Sequence, residues 1–269
     1  MKLNLDKVGI IYNADIEDAE NLAKEIAGHF NNPKVFSSQK LRDDISFAIV
    51  AGGDGTILKC ARFYAKYDTP IFGFNLGRLG FLAQAKSKDI SSVIRQIYNG
   101  EFRIEERIML ECNMNGKIKV ALNDMVVRGA IFSRTSTLQL YINDNLTSSY
   151  LADGLIVSTP TGSTAYALSA GGPVIAPDLD CIVVVAICPH TLATRPLVIP
   201  AGEVVKIKMC ENCNKFQITA DGQEGVEIDK EVTIKKHSKT AKLLLLDRDT
   251  DIFYTVLRKK MLWGKAPEK

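Results

Sequence analysis

The sequence predicts a two-part α/β chain: an N-terminal three-layer α/β domain over residues 1–100 and a β-rich domain, a β-sandwich, over 101–250, with a closing segment 251–269. Three observations lead there. A strand, glycine turn, helix and strand follow one another between Phe47 and Asn75, which is a parallel βαβ unit. After Glu101 the rhythm changes to short apolar runs separated by polar turns. The 269 residues also exceed what one ordinary core organises, so a single barrel is the weaker alternative.

Each element has its own warrant. Lys7–Tyr12 reads as a strand, and Ala19, Leu22, Ala23, Ile26, Ala27 and Phe30 fall on one helical face by their three-and-four spacing. Phe47–Ala51 is the second strand, about Thr56 to Tyr67 the next helix, and Ile71–Asn75 the third strand. In the second half, strands are expected at Arg107–Asn113, Lys119–Val127, Leu138–Ile142, Leu155–Ser158, Ile182–Ile187, Val204–Met209, Phe216–Thr219 and Leu243–Leu246. Asn115-Gly116 and Asn143-Asp144-Asn145 are hairpin turns by composition. The stretch Phe253–Trp263 is basic and partly apolar.

Composition narrows the function classes. The chain is 46% hydrophobic and 24% charged, with 34 Lys+Arg against 31 Asp+Glu, which suits a folded, soluble protein. A net charge of +3 falls short of the basic surface that nucleic-acid binding requires, so no nucleic-acid partner is expected. The apolar run Ile182–Ile187 is far shorter than the roughly 20 residues that cross a bilayer, and Asp6 and Lys7 interrupt the first twelve residues, so neither a membrane span nor a signal peptide is expected. The expected compartment is the cytoplasm. Six cysteines are too sparse for a disulfide scaffold; Cys210 and Cys213 lack a second ligand pair, and Cys60, Cys112, Cys181 and Cys188 read as buried small hydrophobes. No metal-ligand set emerges.

Chemistry concentrates in three places. Gly52-Gly53-Asp54-Gly55-Thr56 joins a strand to a helix, leaving backbone N–H groups open at a helix N-terminus, with Lys59 about one turn on. It is neither a Walker loop nor a Gly-x-Gly-x-x-Gly fingerprint. A carboxylate would repel a bare triphosphate, so Asp54 makes sense facing a metal ion or an attacking hydroxyl. The stretch Asp153–Pro177 has 14 Gly, Ala, Ser or Thr in 25 residues, including Thr161, Thr164 and Ala165, with Tyr166 as a large group suited to covering a base. Asn123-Asp124 interrupts an apolar run and suits an adenine edge and ribose hydroxyls, while Asp221-Gly222-Gln223 reads first as a turn.

Together these blocks resemble the NAD kinase family, whose members transfer the γ-phosphoryl group of ATP to the adenosine-ribose 2′-hydroxyl of NAD. The likeness runs from about Ile49 to Asp221 and rests on the Gly52–Thr56 turn, Gly77-Arg78-Leu79-Gly80-Phe81-Leu82, Asn123-Asp124, Asp153-Gly154, Ser158–Pro173, Pro189-His190-Thr191-Leu192 with Arg195-Pro196, and Asp221-Gly222-Gln223. It implies Asp54 as catalytic base, with Gly55, Lys59 and Phe81 beside the nucleotide. Asn123 and Asp124 would hold the adenosine part of NAD. Asp153, Thr161, Thr164, Ala165, Tyr166, Ala167, Leu168 and Ser169 would line the dinucleotide site, and Gln223 would close it.

The resemblance also implies Mg²⁺ with ATP, an active site in the cleft between the domains, a chain end returning to the first domain, and a homodimer or homotetramer. Two departures stand out: Asp124 takes a place where the family commonly has Glu, and Leu151 one where a basic residue is frequent, for which Arg134 is the candidate replacement. Read from the residues alone, a lipid or sphingoid kinase sharing the glycine turn and a non-catalytic pyridine-nucleotide sensor are the rival readings.

Overall fold

A computed structural model describes residues 3–77, 80–114, 116–129, 136–209, 216–228, 230–246 and 252–261. The chain divides into two compact units, Met1–Glu106 with Ala241–Lys269, and Arg107–Thr240.

The first unit is built on one sheet. Strands β1 (Val8–Tyr12), β2 (Lys34–Ser37), β3 (Phe47–Ala51), β4 (Ile71–Asn75) and β6 (Phe102–Arg107) join the late strand Ala241–Leu246 in the order β2, β1, β3, β4, Ala241–Leu246, β6, and β5 (Ala85–Lys86) also pairs with β4. The pairings of β1 with β2 and β3, and of β4 with β3, β5 and Ala241–Leu246, are parallel, so both faces need helical cover. Helices α1 (Ala19–Ala27) and α3 (Ile90–Asn99) bury Leu22, Ala23, Ile26, Ile90, Val93, Ile94 and Ile97 in one core with Val8, Ile10, Phe47, Ile49, Phe72 and Phe74. The alternate strand residues Ile11, Ala48, Val50 and Ile71 are buried too. Gly73 has no side chain because Ile57 of helix α2 (Asp54–Tyr64) fills the space a Cβ would take. Helix, sheet and helix make the expected three layers.

Helix α3 carries a three-and-four apolar spacing that the sequence reading passed over, and it ends where Gly100 takes φ +76. The sequence reading put Leu243–Leu246 among the β-rich strands. It lies instead within Ala241–Leu246, whose Leu243 pairs with Ile71 of β4. A strand's partner is chosen by non-local burial, which a local pattern does not encode.

The second unit carries two antiparallel sheets. Strands β7 (Leu110–Met114), β8 (Lys117–Ala121), β10 (Ser136–Ile142), β11 (Asn145–Ala152), β15 (Val205–Met209) and β18 (Glu231–Lys236) form one, in the order β11, β10, β15, β18, β7, β8. The other runs β14 (Leu197–Pro200), β13 (Cys181–Ile187), β12 (Gly154–Ser158), β9 (Asp124–Gly129), β16 (Phe216–Ala220), β17 (Glu224–Ile228). Leu110, Leu138, Leu140 and Ile207 from the first sheet share a core with Val127, Leu155, Val157, Val184 and Ile218 from the second, which makes a sandwich. On β9, β12 and β13 the alternate residues Val126, Ile156, Val183 and Val185 are buried as well, under Ala167 and Ile175. The small-residue stretch therefore roofs the outer face of that sheet.

Two expected strands turn out to be pairs. Arg107–Asn113 splits between β6 in the first unit's sheet and β7 in the sandwich, and Lys119–Val127 splits between β8 and β9, which belong to opposite sheets of the sandwich. The second break falls at Leu122–Asn123. The β10–β11 hairpin turns through Asn143 and Asp144, both left-handed at φ +48 and +65, as the Asn-Asp composition favours. Among the cysteines, Cys60 and Cys112 are buried and their thiols are pushed up to about 12 by that burial. Cys188, expected to be buried, is exposed at φ +46. Cys210, Cys213 and Arg134 lie outside the described residues.

Candidate active site

In the first unit, fully buried β3 runs into Gly52, whose N–H donates to the Phe74 carbonyl of β4 at 3.0 Å and ties the turn to the sheet end. Gly53 caps α2 in extended conformation, and its carbonyl accepts from Thr56 and Ile57. Asp54 opens the helix. Its carboxylate accepts the backbone N–H of Phe81 at 2.9 Å and of Leu82 at 3.3 Å. Gly80 packs so closely on the same carboxylate that a Cβ would overlap it. The orientation of Asp54 is thus set by a loop 26 to 28 residues downstream in the chain. A Cβ on Gly53, by contrast, would meet nothing within 4 Å, so the outer side of the turn is open to a ligand. Gly55 and Lys59 are exposed beside it. A helix N-terminus, an open glycine and a lysine suit phosphate oxygens, and a fixed carboxylate suits a hydroxyl proton.

In the second unit, one side chain takes all three N–H groups of the corner Leu122–Asp124. The Asp221 carboxylate accepts the backbone N–H of Leu122 (3.1 Å), Asn123 (2.7 Å) and Asp124 (3.2 Å), while the Asp221 N–H donates to the Asp124 carbonyl at 2.9 Å. Asp221 and Gly222 are both left-handed, at φ +51 and +64, which folds this tight turn back on the corner. The small-residue stretch grips the same corner from the other side. Thr159 donates its hydroxyl to the Leu122 carbonyl at 2.6 Å and its N–H to the Asn123 carbonyl at 2.9 Å. Gly162 lies where a Cβ would overlap the Asn123 carbonyl. Ser163, fully buried, donates to Pro160 and accepts from the Ile175 N–H, closing the stretch on itself.

The result is a cavity of about 350 Å³ lined by Asn123, Asp124, Arg128, Tyr166, Thr219 and Asp221, among others. Asp124 is 4% exposed, and among the described residues none donates a hydrogen bond to its carboxylate. Burial, and secondarily the neighbouring Asp221 charge, push its carboxyl up to about 7. Tyr166 stands 43% exposed at the rim, its face available to a planar ring.

The comparisons with known proteins bear on both units. Residues 12–102 match the ATP-NAD kinase N-terminal domain and 122–245 the ATP-NAD kinase C-terminal domain. An NAD kinase of Caldanaerobacter subterraneus subsp. tengcongensis is 37% identical over 96% of this chain and 99% of its own length. The chain belongs to the NAD kinase family. An NAD kinase of Clostridium botulinum is 38% identical over 96% of each chain. Among solved structures, an NAD kinase from Archaeoglobus fulgidus in complex with ATP superposes with a TM-score of 0.76 at 26% identity, covering 96% of this chain and 99% of that one. Yeast NADH kinase complexed with NADH shares the fold, with a TM-score of 0.82 at 20% identity, over 97% of this chain and 89% of that one.

Measured against what the NAD kinase resemblance implies, the structure brings Asn123, Asp124, Ala165 and Tyr166 together in one cavity. Thr161 is buried and accepts from the Arg107 guanidinium at 3.2 Å, Thr164 donates back to the Thr161 carbonyl at 3.4 Å, and Ala167 is core. These three build the stretch, and the cavity lies beside them. Leu168 is half-buried, and Ser169, Asp153 and Gln223 are exposed; Asp153 and Gln223 are fixed through N–H bonds to Ile187 and Ala220. Phe81 contributes its N–H to Asp54 and turns its ring toward the C-terminal helix Ile252–Met261. Sequence reasoning missed Arg128, Thr219 and the holding role of Asp221. Only the last left a trace, as an Asp-Gly turn next to a short strand.

Proposed function

We propose that this chain is an NAD kinase that moves the γ-phosphoryl group of ATP onto the adenosine-ribose 2′-hydroxyl of NAD, giving NADP and ADP. The observation that carries this reading is the Asn123–Asp124 corner facing a polar cavity, in a chain that follows NAD kinases along almost its whole length. Among the described residues none donates to the Asp124 carboxylate, and a ribose or an adenine amine brings donors to it. Tyr166 covers the planar part of the nucleotide.

The glycine turn and Lys59 take phosphate oxygens of ATP, and Mg²⁺ bound to those phosphates would supply the remaining charge neutralisation. The 2′-oxygen forms the new P–O bond as the bond from the γ-phosphorus to the bridging oxygen breaks and ADP leaves. Because that transition state is loose, the hydroxyl proton departs late. Asp54 therefore has two tasks, aiming the hydroxyl and accepting its proton.

A lipid or sphingoid kinase would need an apolar groove, whereas Asn123, Asp124, Arg128, Thr219 and Asp221 bring polar or charged ends to this cavity beside Val126, Ala165 and Tyr166. We also place the enzyme in the cytoplasm as a homodimer or homotetramer, which sedimentation velocity on the purified chain reads directly. Among the described residues no helix is long and apolar enough to cross a membrane.

The deciding experiment is NADP formation by the purified protein, run with ATP, other nucleoside triphosphates and polyphosphate, each with and without Mg²⁺. Metal-dependent NADP formation from NAD is expected. NAD binding without any NADP would favour the sensor reading, and phosphorylation of diacylglycerol but not NAD would favour the lipid kinase.

A further inference from the structure

We infer that the C-terminal helix Ile252–Met261 is a latch on the catalytic carboxylate, with Phe253 and Lys260 as positioning residues that act on Asp54 through Phe81. The inference rests on the reading of Asp54 as the catalytic base. Three contacts in the first unit carry it.

The first is the grip on Asp54. Two successive N–H groups, from Phe81 and Leu82, bond its carboxylate, and Gly80 packs against the same group. Aim within this arrangement depends on where the Phe81 backbone sits.

The second is how that backbone is held. Leu82 is buried, and beyond it the Gln84 N–H donates to the Gly73 carbonyl at 3.0 Å, so the downstream end is fixed to β4. Phe81 itself is only half-buried and needs a partner for its ring.

The third is that the C-terminal helix supplies this partner. The Phe253 ring lies 6.2 Å from the Phe81 ring, tilted by 47°, and the Lys260 ammonium stands 4.8 Å from the Phe81 ring centre. Phe253 and Lys260 are two turns apart on one helix, so together they bracket Phe81. Val256 and Leu257 between them are 2% and 4% exposed, which roots the helix in the core of the first unit. The helix begins after residue 245, where the match to the family's C-terminal domain stops.

A helix that only covered the core would affect stability alone. A latch makes a sharper demand: loosening it shifts Phe81, the carboxylate loses its aim, and the chemical step slows while the NAD cavity of the other unit is untouched. Small misplacements of an acceptor are expensive in rate.

The test uses the full-length enzyme and three sets of variants, assayed well below their melting temperatures. Phe253→Leu keeps apolar volume and removes the ring; kcat is expected to fall on the order of tenfold or more, with KM for NAD unchanged. Lys260→Met is expected to lower kcat by about two- to fivefold and Lys260→Arg to restore it, since only the cation over the ring matters. The double variant Phe81→Leu with Phe253→Leu should lose no more than the worse single variant, because both act along one path.

If Phe253→Leu and Lys260→Met lower thermal stability yet leave kcat within experimental scatter, the latch is overturned. It is overturned equally if the effects of Phe81→Leu and Phe253→Leu simply multiply. Asp54→Asn, run alongside, separates the two ideas: an active Asp54→Asn enzyme defeats the base assignment itself, whereas an inactive one with indifferent latch variants defeats only the latch.

Discussion

Replacing Asp124 with Asn tests the electrostatics of the cavity, because the two side chains have nearly the same shape and differ in whether they titrate. In the folded, ligand-free protein the Asp124 carboxyl is pushed up to about 7 from an ordinary 3.8, chiefly by burial and then by the Asp221 charge. Arg128 and Tyr166 line the same cavity. Between those two values the folded chain holds a proton that the unfolded chain has released, so stability is full below about pH 4 and declines as pH rises toward 7. Each pH unit in that window corresponds to about 1.4 kcal/mol, and the whole window to about 4 kcal/mol. Urea unfolding at pH 4.5, 6 and 8 should therefore show wild type losing about 3 kcal/mol relative to Asp124→Asn between the first and last condition. Binding should move the opposite way. If NAD donates to the ionised carboxylate, wild-type affinity is about tenfold weaker at pH 6 than its plateau above pH 7, and the Asn variant shows no such step. A wild-type-minus-variant stability difference that stays flat within about 0.5 kcal/mol from pH 4.5 to 8 would refute the burial of the Asp124 carboxyl beside Asp221.

The Phe81 and Leu82 N–H groups bond to different oxygens of Asp54, so Asp54→Asn keeps an acceptor for the shorter Phe81 bond and gives up the longer Leu82 bond; the fold and calorimetric NAD binding should persist while kcat drops by roughly 10² to 10⁴. Gly53→Ala adds a methyl that meets no protein atom, so melting should be unchanged while KM for ATP rises; an unaltered KM would place the phosphates elsewhere. Asp221→Ala strips the acceptor from three N–H groups at once, and we expect about 2–4 kcal/mol lost in urea unfolding together with a raised KM for NAD. With the Asp221 charge gone, the Asp124 window should also move to lower pH.

How far the sequence could be read depended on whether the signal was local. Phe47–Ala51 and Ile71–Asn75 match their observed bounds because each is a short apolar run closed by turn residues, and the Gly52–Thr56 turn was visible because glycine has a backbone meaning of its own. The chain's switch between sheets at Leu122–Asn123 was not visible: Lys119–Val127 looks like one strand, and what breaks it is a carboxylate about a hundred residues away that collects the N–H groups of the corner. For the same reason the polar pair Asn123-Asp124 could be recognised as awkward while its remedy could not. The family resemblance supplied a list of candidate residues, and the structure sorts them by task. Thr161, Thr164 and Ala167 build the roof, Asn123, Asp124 and Tyr166 face the cavity, and Asp153 and Gln223 are exposed.

The three carboxylates show why a sequence position says so little about a carboxylate's task. Asp54 opens a helix, Asp124 opens a strand and Asp221 sits in a turn, yet it is their bonding that tells them apart. Asp221 spends its oxygens on three backbone N–H groups, and a group so engaged builds the site. Asp54 accepts two N–H bonds at the open end of a helix, fixed in aim but half-exposed, which suits a reacting group. Asp124 is buried beside a second carboxylate, with no donor among the described residues bonded to its own, an arrangement that disfavours its charge, which donors from a nucleotide would favour. A sequence optimised for folding alone would place an apolar residue there. That it keeps the acid, with a cavity opening in front of it, is the strongest physical reason to regard this corner as the place where the nucleotide binds.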